Sequence, residues 1–252
     1  MKLSKLLERS EYTLVQGTED TEISTLVYDS RKVEENSVFV CISGAAFDGH
    51  KFIGQVIEKG AKVIVVQQDV EAPKGVTVIR FDDTRKALAE MSAAYFGYPA
   101  EELTTIGITG TKGKTTITYM IQSVLEHAGQ KTGLIGTIET VIGDERIPSV
   151  NTTPESYVIQ ESFRKMADAG CKNVVMEVSS QGLMLHRVSG FTFDYGIFTN
   201  LAEDHIGENE HKDMDDYIRC KSLLFQQCRQ GIVNGDDDYV ERIIKGHTCS
   251  LE

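Results

Sequence analysis

At 252 residues, 40% of them hydrophobic, the chain is long enough for one large or two ordinary domains with properly buried cores. Its 38 acidic and 26 basic residues leave a formal charge of −12, which argues against broad binding to nucleic acid or an anionic membrane. Any anion it holds must therefore be held locally. The cysteines, Cys41, Cys171, Cys220, Cys228 and Cys249, are scattered, odd in number and form no C-x-x-C pair, which fits a reducing, cytoplasmic setting. Residues 1–10 mix charges with leucines, and no later stretch approaches about eighteen unbroken apolar residues, so neither a signal peptide nor a membrane span is expected.

In chain order, short runs rich in β-branched residues at 38–42, 63–66, 76–81, 105–108, 174–178, 195–199 and 231–233 predict strands. Residues 52–59, 84–96, 115–128, 154–169 and 214–228 carry apolar side chains at three- and four-residue spacing and predict amphipathic helices. Such alternation means an α/β fold with largely parallel strands. A Tyr-Pro step and two acids within residues 97–102 read as a domain joint, giving expected domains of 1–101 and 102–252. Residues 246–252 read as a strand being entered, which suggests that the chain continues in a larger protein.

The strongest local signal is Thr105-Ile-Gly-Ile-Thr-Gly-Thr-Lys-Gly-Lys-Thr-Thr116, a β-branched strand running through a glycine-rich turn into a helix. Backbone N–H groups of such a turn, with the helix N-terminus, make a concave positive site for phosphate oxygens. The turn Gly110, Thr111, Lys112, Gly113, Lys114, Thr115 and Thr116 is expected to wrap the phosphates of ATP. Lys114 would reach the terminal phosphates and Thr115 would ligate Mg²⁺. The loop departs from the longer G-x-x-x-x-G-K-[ST] pattern, because Ile108 stands where that pattern has glycine.

Beyond the loop come, in order, Asp29-Ser-Arg, Asp48-Gly-His, Asn151-Thr-Thr-Pro, Glu177-Val-Ser-Ser, Phe198-Thr-Asn-Leu with Asp204-His205, Cys220-Lys221-Ser and Asn234-Gly-Asp-Asp. This series resembles the MurE-type Mur ligases over essentially the whole chain. The resemblance implies an N-terminal domain for the UDP end of a cell-wall precursor and a central ATPase domain. A third, C-terminal domain, which in the family presents the incoming amino acid and is needed for turnover, has no counterpart in these residues. The implied reaction joins diaminopimelate or L-lysine to UDP-MurNAc-L-Ala-D-Glu, ATP first converting the substrate carboxylate to an acyl phosphate that the amine then displaces. Magnesium spreads the charge that builds up during phosphoryl transfer.

The resemblance also assigns roles. Lys114, His205 and Lys221 are the expected catalytic residues, and Thr115, Glu177, His205 and Lys221 the expected metal ligands. Glu177 ends an apolar run, at the kind of strand end where open α/β sheets place ligands. Lys221 is carbamylated in the family, which would turn a cation into a carboxylate-like ligand. Ser30, Ala45, Ala46 and Phe47 correspond to the uridine site. Asn151, Thr152, Thr153, Ser179 and Arg187 correspond to the muramoyl-peptide site, where a guanidinium fork suits a carboxylate or phosphate. Asn234 corresponds to a segment near the nucleotide base. Gln181 stands where many members have histidine, Leu185 where some have glutamine, and residues 204–211 replace a commoner D-H-L-D-Y-H pattern.

Two other readings compete. One is a folylpolyglutamate synthetase-like or other Mur-superfamily ligase, against which the Asp29-Ser-Arg to Asp48-Gly-His module stands. The other is a nucleotide-binding module that has lost catalysis, against which the set Lys114, Thr115, Glu177, His205 and Lys221 stands.

Overall fold

The computed structural model describes residues 1–44, 48–204, 206–207 and 211–252. The chain forms two compact units, Met1–Gly97 and Tyr98–Glu252. The division falls a few residues ahead of the joint read from the sequence, because Pro99–Glu102 forms a short 3₁₀ helix that packs into the second unit. Arg164 of that unit grips Glu102 at 2.6 Å.

The first unit runs α1 (Leu3–Leu6), β1 (Thr13–Gln16), β2 (Leu26–Val27), β3 (Val38–Val40), α2 (Ile53–Glu58), β4 (Val63–Val66), β5 (Thr77–Arg80) and α3 (Thr84–Tyr95). Its sheet has the order β1-β5-β4-β3-β2, parallel except for the β1–β5 edge pair. The strands β3 and β4 are buried throughout, as a parallel sheet covered on both faces requires. Phe39, Ile64, Val66 and Val78 pack with Ile53 and Val56 of α2, and α3 packs on β2, β3 and β4. Asp83 caps α3 by accepting hydrogen bonds from the amides of Arg85 and Lys86.

The second unit runs β6 (Thr104–Thr109), α4 (Lys114–His127), β7 (Thr132–Ile135), β8 (Glu139–Ile142), β9 (Glu145–Pro148), α5 (Ser156–Asp168), β10 (Asn173–Glu177), α6 (Ser180–Met184), β11 (Phe193–Phe198), α7 (Met214–Ser222), β12 (Cys228–Val233), α8 (Val240–Ile243) and β13 (Ser250–Leu251). Among the described residues its sheet has the order β13-β12-β11-β6-β10-β7-β8-β9, parallel from β13 to β7 and closed by the antiparallel β7-β8-β9 meander. Alternation along β6 sets the layers. Ile106 and Ile108 face Ile117, Ile121 and Leu125, spaced four apart along α4. On the other face lies the main core, with Phe163, Phe193, Tyr217 and Phe225 fully buried. Gly107 belongs to that face, where a Cβ would come within 2.9 Å of the Phe193 ring.

The helix expected over residues 214–228 stops at Ser222, and a 3₁₀ turn, Leu223–Gln226, follows. Cys228 is instead the first residue of β12, pairing with Phe193 of β11. The sheet's demand for a parallel partner overrides the continuing helical periodicity. Phe163 lies in the main core at 0% exposure, and Phe163→Ala is expected to cost about 3–5 kcal/mol in urea unfolding, with the first unit's stability unchanged.

Candidate active site

Because β6, β10, β7 and β11 run parallel, their carboxyl ends open on one edge of the sheet, and the loops leaving them build one site. The strand β6 lies between β11 and β10: the chain leaves it on the β10 side toward β7, and the connection from β10 to β11 later crosses to its other side.

The loop after β6 is fixed at both ends. Gly110 is held against the strand end of β11, where an added Cβ would fall 2.0 Å from the hydroxyl of Thr199. Gly113 caps α4 at φ 83°, a left-handed conformation that favours glycine. Between them, the amide of Thr111 donates to the carbonyl of Asn200 (2.8 Å), and the amide of Lys112 donates to the Asn200 side chain (3.0 Å). Lys112 reaches outward to Asp204 at 2.9 Å. Thr116 is exposed on the first turn of α4. Asn234 is exposed as well, its amide group donating to the carbonyl of Thr199 at 2.9 Å, beside the loop's supports.

Glu177 ends β10 and is 1% exposed. Its carboxylate accepts from the Thr115 hydroxyl at 3.0 Å and from the amide and hydroxyl of Thr137 at 2.8 and 3.1 Å. Gly136 lets the carboxylate approach, since a Cβ there would lie 2.6 Å from Oε1. No salt bridge reaches this buried carboxylate among the described residues. An anionic oxygen beside hydroxyl oxygens, with no paired cation, is a donor set suited to a hard divalent ion such as Mg²⁺. Thr137 has no part in the sequence expectations. Its only signal is its place straight after Gly136 at the end of β7.

Two lysines converge on one carbonyl. Lys114 Nζ donates to Gly110 O (2.9 Å) and to Thr111 O (3.2 Å), and Lys221 Nζ, from α7, donates to the same Gly110 O at 2.9 Å. Lys221 is 1% exposed and lies over the Tyr217 ring at 4.5 Å. Burial, and next the charge of Lys114, push its ammonium down to about 7. Burial likewise lowers Lys114, with Glu177 opposing.

Beside these groups opens a cleft of about 180 Å³ lined by Lys114, Asn151, Thr152, Thr153, Arg187 and Lys221, together with Ser179, Ser180, Gln181 and Tyr217. The Thr153 hydroxyl donates to the carbonyl of Glu177 (3.0 Å) and accepts from the amide of Ser179 (2.9 Å), tying this segment to the end of β10. Thr152 meets Thr137 through their hydroxyls at 3.0 Å, and the Ser179 side chain caps α6. Arg187 donates to the Thr153 carbonyl at 3.0 Å, and its buried Nε faces the Glu155 carboxylate at 3.8 Å, beyond hydrogen-bond distance.

The structure thus brings Gly110, Thr111, Lys112, Gly113, Lys114, Thr115, Thr116, Glu177, Lys221 and Asn234 to the loop and its supports. It gathers Asn151, Thr152, Thr153, Ser179 and Arg187 around the adjoining cleft. His205 lies outside the described residues, as do Ala45, Ala46 and Phe47. Ser30 belongs to the first unit, where its carbonyl accepts from Lys59 at 2.8 Å. Nearby, Arg31 grips Asp29 at 2.7 Å and holds its carboxyl at about 2.

Residues 108–250 match the family model described as the Mur ligase middle domain, more than half of the chain, and residues 22–96 match the Mur ligase family, catalytic domain. The chain belongs to the Mur ligase family. A UDP-N-acetylmuramoyl-L-alanyl-D-glutamate–2,6-diaminopimelate ligase of Clostridium perfringens is 48% identical over 245 residues, covering 97% of this chain and 50% of the relative. A solved structure of a ligase of that name superposes on 100% of this chain and 51% of its own, with a TM-score of 0.83 at 22% identity. A Thermotoga maritima MurF ligase in complex with ADP superposes on 92% of this chain and 49% of its own, with a TM-score of 0.56 at 18% identity. The chain therefore has the Mur ligase fold and spans about half the length of the curated relatives it matches. No helix among the described residues is long and apolar enough to cross a membrane.

The buried ammonium sets a pH dependence. Lys221 titrates at about 7 in the fold and near ~10.4 in an unfolded chain. Below 7 the cost of burying the cation is complete. Between the two values the unfolded state binds more protons, so stability rises with pH, and above both the cost has gone. The full difference is worth at most on the order of 4–5 kcal/mol. Lys221→Met is expected to be more stable than the wild type near pH 7 in urea unfolding, with the gap narrowing as pH rises toward 10.

Proposed function

We propose that this chain supplies the nucleotide- and precursor-binding part of a cytoplasmic, ATP-dependent, MurE-type ligase. The enzyme joins 2,6-diaminopimelate to UDP-MurNAc-L-Ala-D-Glu in peptidoglycan precursor synthesis. The observation that carries the reading is the Thr115–Glu177 contact beside the two lysines on the Gly110 carbonyl. It sets a hydroxyl–carboxylate pair suited to a metal, a phosphate loop and a basic cleft side by side. The name borne by relatives close to half identical to this chain supports diaminopimelate over L-lysine. The first unit, residues 1–97, would take the UDP end through Ser30 and the segment holding Ala45, Ala46 and Phe47.

In this reading the turn Gly110–Thr116 donates backbone N–H groups to the ATP phosphates, Lys114 neutralises the terminal phosphate and Asn234 lies at the base. Thr115 and Glu177 would hold one Mg²⁺, and His205 with a carbamylated Lys221 a second. The metal supplies charge neutralisation and polarises the transferring phosphoryl group. Arg187, Asn151, Thr152, Thr153 and Ser179 hold the peptidyl end, so that its carboxylate oxygen attacks the γ-phosphorus, ADP leaves, and an acyl phosphate forms. The amine nitrogen of the amino acid then attacks the acyl carbon, phosphate leaves, and the amine proton is lost. A Lys221 amine that titrates at about 7 has a substantial neutral fraction at physiological pH, and the neutral form is the one that bonds CO₂.

Thr115→Ala and Glu177→Gln are each expected to weaken Mg·ATP binding about ten- to a hundredfold by calorimetry, and Glu177→Gln to remove most of the magnesium dependence. UDP-MurNAc-L-Ala-D-Glu should raise the melting temperature of the 252-residue chain while a folate does not. Stabilisation by the folate alone would overturn the reading in favour of a folylpolyglutamate synthetase-like enzyme.

A further inference from the structure

Just ahead of α7, and on its first two turns, three side chains of different donor chemistry face one another. The His211 ring is fully buried, and its Nδ1 lies 3.1 Å from one carboxylate oxygen of Asp216. The Cys220 thiol, also fully buried, lies 3.9 Å from the other oxygen. Asp216 and Cys220 stand one turn apart on α7, so their side chains leave the same face of the helix. The nitrogen, the sulfur and a carboxylate oxygen all lie within 4.8 Å of one another. No residue of this set is among those assigned above to ATP, Mg²⁺ or the precursor.

We infer that His211, Asp216 and Cys220 form a binding site for a borderline-soft divalent ion of the zinc class, held through Nδ1, a carboxylate oxygen and the thiolate, with water in the fourth position. In a tetrahedral zinc site the donor atoms stand roughly 3.3–3.6 Å apart, so side-chain adjustments of about an ångström close the set around the ion. Nitrogen and sulfur donors select against Mg²⁺, which takes oxygen ligands. The far side of the ring supplies a second mark of such a site. A ligating histidine donates its other N–H to a fixed acceptor, and Nε2 lies 2.8 Å from the Ser180 hydroxyl. With the ion on Nδ1, the neutral ring carries its proton on Nε2 and Ser180 accepts it. On binding, the ion displaces the Cys220 thiol proton to solvent, and the two anionic ligands balance its charge. Arg219 covers the outer side, donating to Asp216 at 2.7 Å and to Cys220 Sγ at 3.4 Å. That side chain is 60% exposed, so it can swing into solvent, and the ion takes up the negative charge it leaves. A bound ion would tie α7, which carries Lys221, through His211 and Ser180 to the start of α6 at the edge of the cleft.

The test titrates the full 252-residue chain with Co²⁺, read by its thiolate-to-metal absorption band, and then displaces the cobalt with Zn²⁺. One equivalent is expected, with a tetrahedral visible spectrum that excess Mg²⁺ does not alter. Cys220→Ser should abolish the thiolate band, and His211→Ala should weaken binding about a hundredfold and Ser180→Ala about tenfold. Cys249→Ser, at a partly exposed thiol, should leave the band as in the wild type. Arg219→Ala removes the competing cation and should bind the ion severalfold more tightly, a gain that a merely structural cluster would not show. A band that survives Cys220→Ser places the ion elsewhere and overturns the assignment. Binding seen by calorimetry without a thiolate band means an adventitious ion only and overturns it too, as does a chain that binds no Co²⁺. Should the buried variants fail to fold, Arg219→Ala decides alone: tighter binding supports the site, and unchanged or weaker binding overturns it.

Discussion

The candidate site depends on a buried carboxylate that, among the described residues, has no salt bridge. Removing an ionised acid from water is costly unless polar groups replace its hydration. Glu177, at the end of β10, meets that demand with two threonine hydroxyls and one amide, delivered by two segments: the first turn of α4 and the loop after β7. Those contacts fix the distance between the phosphate loop and its neighbouring strand ends. They also leave the carboxylate neutralised by dipoles rather than by charge, which is the condition under which an incoming cation gains most.

The parallel sheet makes the arrangement available. Strands that run the same way release their carboxyl ends together, so a threonine from the first turn of α4, an acid at the end of β10 and a threonine from the loop after β7 meet without long excursions. The steric details follow from that crowding. Glycine at 110 and 136 stands where the backbone must pass within side-chain reach of Thr199 and Glu177. The main core beneath, centred on Phe163, Phe193 and Tyr217, holds α7 in place. A rigid α7 is what carries Lys221 inward.

How much of this could be read from the sequence follows from how local each feature is. The phosphate loop was legible because a strand, its glycines and its lysine occupy one contiguous segment. Glu177 was legible because it closes an apolar run, and each strand named in advance for the parallel part of the two sheets is present. The β7-β8-β9 meander escaped notice because β7 carries only two large apolar residues, Leu134 and Ile135, and β9 is exposed throughout, leaving little pattern to detect. Periodicity placed Lys221 on a helix but could not tell a solvent-facing lysine from a buried one, since the covering residues lie about a hundred positions away. Thr137 and the Ser180, His211 and Asp216 set were unreadable for the same reason, because only the folded sheet brings them together.

The Gly110 carbonyl, shared by two ammonium groups, links parts of the molecule that no motif connects. One acceptor with two lone pairs holds a lysine from the phosphate turn and another from a distant helix. Their mutual repulsion makes the protonation of each depend on the other. Any event that discharges the α7 amine strengthens the positive character of the turn, and any anion that draws Lys114 away eases the burden on α7. Such reciprocity is thermodynamically obligatory, so occupancy of the nucleotide turn and chemical modification of the helix lysine should rise and fall together.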